Sequence, residues 1–138
     1  MVLTANDIEG RPHGMTVNSL TSVSLVPPLL LVCIDHQATM HDILLAERRF
    51  AANMLSAPQE ALARRFAGKH DHRFDGIGYR LSESGLVLLD GALAHLECER
   101  EVVHPAGDHS VIVARVVGGR AVDGRPLLYY RGGYAVLG

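Results

Sequence analysis

Short apolar segments, most of them ended by turns that contain glycine or proline, run through this chain of 138 residues. There are 14 glycines and 6 prolines, and valine and isoleucine are frequent inside the segments, which favours strands over long helices. The pattern predicts a mainly β protein with turns at residues 9–10, 90–91, 105–108 and 123–126. Strands are predicted at residues 15–18, 23–25, 29–34, 50–55, 86–89, 92–103, 110–117 and 127–130.

Length, charge and hydropathy narrow the class of protein. A chain of this length fits one domain, so residues 1–138 are predicted to form a single domain. The formal net charge of −2, from 15 acidic and 13 basic residues, argues against a charge-led grip on nucleic acid. The longest apolar run, residues 25–34, is about half of a membrane span, and it contains Pro27 and Pro28, so no membrane helix is expected. No export signal is recognisable, and the expected location is the cytoplasm.

Two short helices are predicted between the strands. Thr39 and Asp42 have the spacing of a capping box for the first helix, which we expect to end near Arg48 or Arg49. Ser56 and Gln59 have the same spacing for the second. The expected apolar faces consist of Met40, Ile43 and Leu44 in the first helix and of Leu62, Ala63 and Phe66 in the second.

The cysteines and most histidines form no pattern that indicates a metal site or a disulfide. Cys33 and Cys98 are far apart in apolar segments, which is typical of small buried side chains. His70 and His72 lie in a predicted polar loop, residues 69–84, without a third and fourth ligand at suitable spacing, so no metal is expected. Five further histidines are expected at the surface: His13, His36, His41, His95 and His104.

A serine hydrolase is not indicated. The sequence has no G-x-S-x-G segment, which would expose a nucleophilic serine. Ser110 is adjacent to His109, and neighbours on a strand point to opposite faces, so the two side chains cannot form a catalytic pair.

Short hydroxyl and amide side chains alternate with apolar ones over residues 14–25. Thr16 and Asn18 are predicted on one face of a strand, and Ser22 and Ser24 repeat the arrangement on the next. Such a row suits a groove that binds a flat ligand with polar edges. The alternative is that these residues make local turn bonds at a strand corner.

Many short strands around a small apolar core favour a closed or nearly closed antiparallel barrel, because closure removes exposed edges. Periodicity alone does not separate a barrel from a sandwich.

Several segments together resemble the flavin reductase-like family, the small NAD(P)H-dependent reductase components of two-component flavin monooxygenases. The resemblance covers nearly the whole chain in the right order and implies the FMN-binding split β-barrel with two short helices. Members usually carry a further helix and more of a first strand before the segment matched by Val2-Leu3-Thr4, so that strand is expected to be shortened. The matching segments are Gly14-Met-Thr-Val-Asn-Ser, Ser22-Val-Ser-Leu-Val-Pro-Pro-Leu, Phe50-Ala-Ala-Asn-Met-Leu with Gln59 and Phe66, Leu96-Glu-Cys, Gly107-Asp-His, and Pro126-Leu-Leu-Tyr-Tyr with Gly133-Tyr134.

The resemblance also implies which residues hold the cofactors. Five polar residues would hydrogen-bond the isoalloxazine edge and the ribityl or phosphate part of FMN or FAD. They are Thr16, Asn18, Ser19, Ser22 and Ser24. Asn53 and Leu55 would approach the flavin mainly through backbone groups. Phe66 would pack beside it, although a helix-face aromatic is more typical of simple core. His109 corresponds to the position on the nicotinamide side, where it would contact NADH or NADPH.

The function implied is hydride transfer from NAD(P)H to FMN or FAD, followed by release of reduced flavin to a partner monooxygenase. A homodimer with flavin near the subunit interface is implied as well. One alternative stays open: a flavin-binding or electron-transfer protein that does not turn over NAD(P)H. A second alternative, an oligonucleotide-binding barrel, is disfavoured by the 5% aromatic content and the slightly acidic balance.

Overall fold

A computed structural model describes residues 1–68 and 73–138. Two α-helices and eleven strands make up these parts of the chain. The helices are α1 (Thr39–Ala46) and α2 (Glu60–Ala67), the second preceded by one 3₁₀ turn (Ala57–Gln59). The strands are β1 (Val2–Asn6), β2 (Pro12–Thr16), β3 (Thr21–Leu25), β4 (Pro28–Asp35), β5 (Arg49–Met54), β6 (Tyr79–Leu81), β7 (Val87–Leu89), β8 (Ala94–Ala106), β9 (His109–Ala121), β10 (Leu127–Tyr130) and β11 (Gly133–Val136).

Seven strands form one antiparallel sheet in the order β2-β1-β5-β8-β9-β4-β3. Its two edges, β2 and β3, are consecutive in the chain and are joined only through residues 17–20. A flat sheet of seven strands would separate its edges by roughly 29 Å, whereas five residue steps from Thr16 to Thr21 span at most roughly 17 Å. The sheet therefore has to curl, and the result is the predicted mainly β split barrel with two helices.

A long hairpin connects the two halves of the barrel. Strands β8 and β9 have 13 residues each and pair from Ala94↔Ala121 to Ala106↔His109. The first half of β8 pairs with β5, and the first half of β9 pairs with β4. Register shifts after Glu97 and Arg100 mark bulges in this hairpin, and bulges bend a strand and increase its twist.

The barrel wall is packed on both sides. Its inner face carries Leu3, Phe50, Cys98 and Ile112, and α1 adds an apolar face to this core. The outer face of β1 and β5 is covered by α2 and by the small β6–β7 ribbon, which form a second core with Val2. β1 and β5 are therefore buried on both faces, and the buried polar residues they contain, Thr4 and Asn53, are hydrogen-bonded within the fold.

The structure corrects some of the predicted local details. The second capping box forms, with Gln59 Oε1 accepting from the Ser56 backbone N–H at 2.9 Å. The first does not, because α1 already includes Thr39 and its N-cap is Ala38, which has no side-chain acceptor. The predicted loop of residues 69–84 contains the short strand β6, and β11 was not predicted. No described helix is long and apolar enough to cross a membrane.

Two histidines that were predicted to lie at the surface are buried. His95 is 8% exposed, and its Nε2 donates to the Leu89 backbone oxygen at 2.7 Å. His41 is also 8% exposed. A histidine on an apolar strand or helix face has the same sequence signal as an exposed one, because the sequence does not say which neighbour will accept its proton.

Gly14 allows α2 to lie close to β2. A Cβ built on Gly14 would be 2.7 Å from two ring carbons of Phe66, which is 1% exposed in the second core. The ring in turn packs edge-on against Phe74, with 5.1 Å between ring centroids. It therefore has little freedom to move away from an added methyl group.

We predict that Gly14→Ala lowers the free energy of unfolding by about 1–3 kcal/mol, the usual cost of overpacking a core. Gly118→Ala is the matched control, since its Cβ would meet its nearest neighbour, Glu97 Oε2, at 3.8 Å. Chemical denaturation of both variants measures the difference. Equal stabilities would mean that α2 shifts without cost.

Candidate functional site

A cleft of about 480 Å³ opens where the connection from β2 to β3 meets the β10–β11 hairpin. This volume lies within the usual range for small-molecule sites, roughly 300–1,000 Å³. Apolar side chains form much of its surface, together with two tyrosines and two short polar residues. Its lining includes Met1, Met54, Leu127, Leu128, Tyr129, Tyr134, Thr16 and Asn18.

The β10–β11 hairpin supplies the aromatic wall. It is attached to the barrel by the backbone bond from Leu127 N–H to the Leu55 oxygen, 3.1 Å long. Tyr129 and Tyr134 pack edge-on with 5.2 Å between ring centroids, and the Arg64 guanidinium of α2 lies 4.9 Å from the centre of the Tyr134 ring. Such a stack holds aromatic rings at the cleft mouth. These tyrosines belong to the Pro126-Leu-Leu-Tyr-Tyr and Gly133-Tyr134 segments and were not among the predicted site residues.

Thr16 and Asn18 both line the cleft, as their predicted common face requires. They differ in which of their hydrogen-bonding groups remain available to a ligand. The Thr16 hydroxyl donates to the Ala63 backbone oxygen at 2.6 Å, so its proton is already used to attach α2. Asn18 is exposed, and no described residue bonds its side-chain amide. Asn18 can therefore donate and accept hydrogen bonds toward a ligand, whereas Thr16 can only accept.

Ser19 is engaged inside the fold. Its hydroxyl donates to the Cys33 oxygen at 3.1 Å and accepts from the Cys33 N–H at 3.0 Å. These two bonds attach the connection between β2 and β3 to β4, in the manner of an extra strand residue. The Ser19 side chain thus holds the cleft-lining segment in place and has little capacity left for a ligand.

Ser22 and Ser24 do not share a face, contrary to the predicted alternation. Ser22 pairs with Leu30 and Ser24 pairs with Leu29, so Val23 is an extra residue in a β-bulge. Paired residues lie on the same face and consecutive residues of β4 lie on opposite faces, so the two serines are separated. Neither lines the cleft described above.

The other predicted flavin contacts belong to the second core. Asn53 is fully buried, and its Nδ2 donates to the Val2 oxygen at 3.0 Å and to Thr4 Oγ1 at 3.2 Å. Its Oδ1 accepts from the Leu89 N–H at 2.9 Å. Leu55 is 3% exposed and Phe66 1%. These side chains support the wall of the cleft from behind, and for Phe66 this is the core alternative that the sequence left open.

His109 is half-exposed at the tip of the β8–β9 hairpin and does not line the cleft. Gly107, at φ +64°, and Asp108 make the two-residue turn before it. The ring Nδ1 donates to the Asp108 carboxylate at 2.7 Å, and this bond holds the pKa of that carboxyl below its usual range. His109 pairs with Asp35, two positions beyond the Cys33↔Val111 pair to which Ser19 is bonded.

Within the described residues, no group of three or more histidine, cysteine, aspartate or glutamate side chains is arranged to hold a metal ion. His70 and His72 lie outside the described residues. Cys33 and Cys98 are both free thiols. Burial, together with the negative charge of Glu97, raises the pKa of the Cys98 thiol to about 12.

We predict that an alkylating reagent at pH 8 modifies half-buried Cys33 well before Cys98 in the native protein, because thiolates are the reactive form and Cys98 forms almost none at that pH. Mass spectrometry of timed samples measures the two sites separately. Both cysteines should react at similar rates after unfolding. Equal rates in the native protein would contradict the burial of Cys98.

Comparison with known proteins supplies a family. The model of the family described as flavin reductase like domain matches residues 1–138. A flavin reductase of Pseudomonas putida is 38% identical over 96% of this chain and 78% of its own length, and an FMN reductase (NADH) of Agrobacterium fabrum is 39% identical over 96% and 75%. The solved NADH:FAD oxidoreductase of Streptomyces globisporus with NAD and FAD fragments has a TM-score of 0.94 at 37% identity, over 99% of this chain and 83% of that one. The chain spans only 43% of the length of another relative, from Rhizobium meliloti.

Proposed function

Because the chain belongs to the flavin reductase-like domain family, we propose that it is an NAD(P)H-dependent flavin reductase that passes hydride from the nicotinamide to FMN or FAD. The observation that carries this proposal is the cleft of about 480 Å³ with apolar and aromatic walls and one free amide, that of Asn18. A flat aromatic ring with a polar edge fits these walls. The relatives named as NADH-dependent flavin reductases support the same reaction.

The residues present suit a bound flavin. Leu127, Leu128 and Met54 offer apolar surface to the faces of a ring, and Asn18 offers a donor and an acceptor at an edge. When bound, the flavin supplies the hydride-accepting chemistry, so the protein needs no nucleophile of its own. What the chain contributes is position: it holds two planar cofactors in register, and it shields their contact from water.

Neutral hydrogen-bond donors have a further role in such a site. Asn18 is the cleft-lining residue whose N–H groups are free among the described side chains, and a donor at the pyrimidine edge stabilises negative charge that develops there on reduction. Thr16 contributes an acceptor, and its bond to Ala63 keeps it in place. Ser22 and Ser24 remain candidates only for the part of the flavin that extends out of the cleft. Because the two serines lie on opposite faces of β3, one of them at most can contact that part.

We assign the nicotinamide side to His109. It is half-exposed, and its Nδ1–H is used by Asp108, which leaves the lone pair of Nε2 free to accept a hydrogen bond from the carboxamide N–H of the nicotinamide. Because His109 lies outside the cleft, the nicotinamide nucleotide would extend from the cleft toward the hairpin tip of the same subunit or come from the tip of a second subunit. The predicted homodimer with flavin at its interface suits the second arrangement.

Reduced flavin would then pass to a partner monooxygenase. Relatives and neighbours named as reductase components, of a resorcinol hydroxylase, a tryptophan halogenase and a styrene monooxygenase, support this role. The cytoplasmic location and the homodimer stay predictions. A flavoprotein that holds flavin without oxidising NAD(P)H is the competing function.

The deciding experiment is the turnover of NADH and of NADPH by purified protein with added FMN and with added FAD. Continuous nicotinamide oxidation that depends on free flavin supports the reductase. Tight retention of flavin with no oxidation of either nicotinamide would replace it with the competing function.

We predict that Asn18→Ala weakens flavin binding about fivefold, the effect of one lost hydrogen bond of about 1 kcal/mol, and leaves the fold intact. Ser84→Ala is the matched control, because Ser84 bonds Glu97 on the outside of the barrel, far from the cleft lining. Flavin fluorescence titration measures both dissociation constants. An unchanged constant for Asn18→Ala would mean that this amide does not bond the flavin.

We predict that His109→Ala impairs the use of NAD(P)H about tenfold while flavin affinity stays nearly constant, since a hydrogen bond to a charged or strongly polar group is lost on one ligand only. A raised KM alone indicates a ground-state contact, and a lowered kcat indicates a contact made in the transition state. Steady-state kinetics with each substrate varied in turn separates the two. Loss of flavin affinity instead would mean that His109 serves the other ligand.

A further inference from the structure

A hydrogen-bond network with two buried members, Ser110 and His41, and one exposed member, His36, lies behind His109. The Ser110 hydroxyl is 2.8 Å from His41 Nε2 and 3.1 Å from His36 Nε2, and the two rings pack edge-on with 4.9 Å between centroids. Ser110 is 2% exposed and His41 8%. None of these three side chains belongs to the cleft or to the proposed ligand contacts.

Ser110 is polar, whereas the residues that follow it on the inner face of β9 are apolar. The inward positions of β9 that follow it, Ile112 and Ala114, are fully buried and apolar. A buried hydroxyl costs free energy unless it is hydrogen-bonded. A hydroxyl has one proton and two lone pairs, so a single serine can bond both histidine rings at once.

The network joins three elements at one point. His41 belongs to α1 and His36 to the connection between β4 and α1, while Ser110 begins the inner row of β9. The backbone adds a fourth link, since the His36 N–H donates to the Asp108 oxygen in the hairpin turn at 2.9 Å. Asp35, which pairs with His109, caps the same connection by accepting from the Gln37 N–H at 2.8 Å.

The side chains of Ser110 and His109 point in opposite directions, and this connects the network to the hairpin tip. Ser110 points into the barrel and His109, its neighbour, points out of it. Fixing Ser110 from inside therefore fixes the rotation of the strand at the position from which the His109 ring projects. Among the described residues, the side chains of Asp108 and of half-exposed His109 bond only each other, so no side-chain bond from the tip itself attaches it to the body of the protein.

We infer that Ser110, His41 and His36 are positioning residues that hold His109 in register for the nicotinamide nucleotide. This inference rests on the proposed function of His109. The backbone pairs of His109 with Asp35 and Ala106 set the register of the strand. The directed hydrogen bonds of Ser110 additionally select one orientation of the strand at this point, which an apolar contact would not do.

Ser110→Ala tests the inference, with Ser84→Ala as the matched control. Steady-state kinetics is measured for both substrates, and thermal unfolding shows that the variants are folded. We expect Ser110→Ala to raise the KM for the nicotinamide about three- to tenfold, with flavin affinity unchanged. An equal change for both substrates, or none for the nicotinamide, would overturn the inference.

The double variant Ser110→Ala/His109→Ala tests whether Ser110 acts through His109. If it does, adding Ser110→Ala to His109→Ala causes no further loss, because the residue being positioned is gone. Independent, multiplying effects would overturn the inference and leave Ser110 with a separate role. If His109→Ala alone has no effect on the nicotinamide, the proposed role of His109 fails and the inference falls with it. A raised KM in His109→Ala with none in Ser110→Ala overturns only the inference.

Rescue by a conservative change distinguishes positioning from packing. His41→Gln keeps an amide nitrogen near the position of Nε2, whereas His41→Leu keeps bulk and removes the hydrogen bond. We expect the glutamine variant to have a KM for the nicotinamide close to that of the unmodified protein. The leucine variant should have a raised KM, like Ser110→Ala. A wild-type KM in the leucine variant would show that bulk alone matters and would overturn the inference, as would equal impairment of the two variants.

Discussion

The pairing of β8 with β9 is the interaction on which the rest of the structure depends. One half of this hairpin carries β5, β1 and β2, and the other half carries β4 and β3. The bulges after Glu97 and Arg100 bend it. Because the two sets of strands meet again through only four residues, 17–20, the bend of one hairpin decides whether the sheet can close.

Closure also creates the site. The short connection that joins the sheet edges cannot complete regular strand pairing, so its polar groups are either bonded to the wall or left for a ligand. Ser19 takes the first course, with both bonds to Cys33, and Asn18 the second. The opposite wall comes from β10–β11, which is sequentially remote and is attached through Leu55 and Arg64. The cleft is thus a product of where the barrel is joined.

Hydrogen bonds between buried polar side chains hold strands in place at two points of the protein. Asn53 and Thr4 bond one another and backbone groups of two strands, β1 and β7, and so they hold the second core in one register. Ser110 and His41 do the same for the hairpin tip. A chemistry in which the cofactors supply the reactivity makes such supports important, because its demand on the protein is position.

The sequence by itself determined the mainly β fold, the second helix with its Ser56–Gln59 cap and the common face of Thr16 and Asn18, since these depend on local periodicity and spacing. Its resemblance to a family carried the fold further, to the split barrel. Only the tertiary structure decided that Asn53, Leu55 and Phe66 are core, that a bulge at Val23 separates Ser22 from Ser24, and that His41 is buried against Ser110. The reason is physical: which partner a polar group finds, and which face a residue takes after a bulge, depend on strands far apart in the chain.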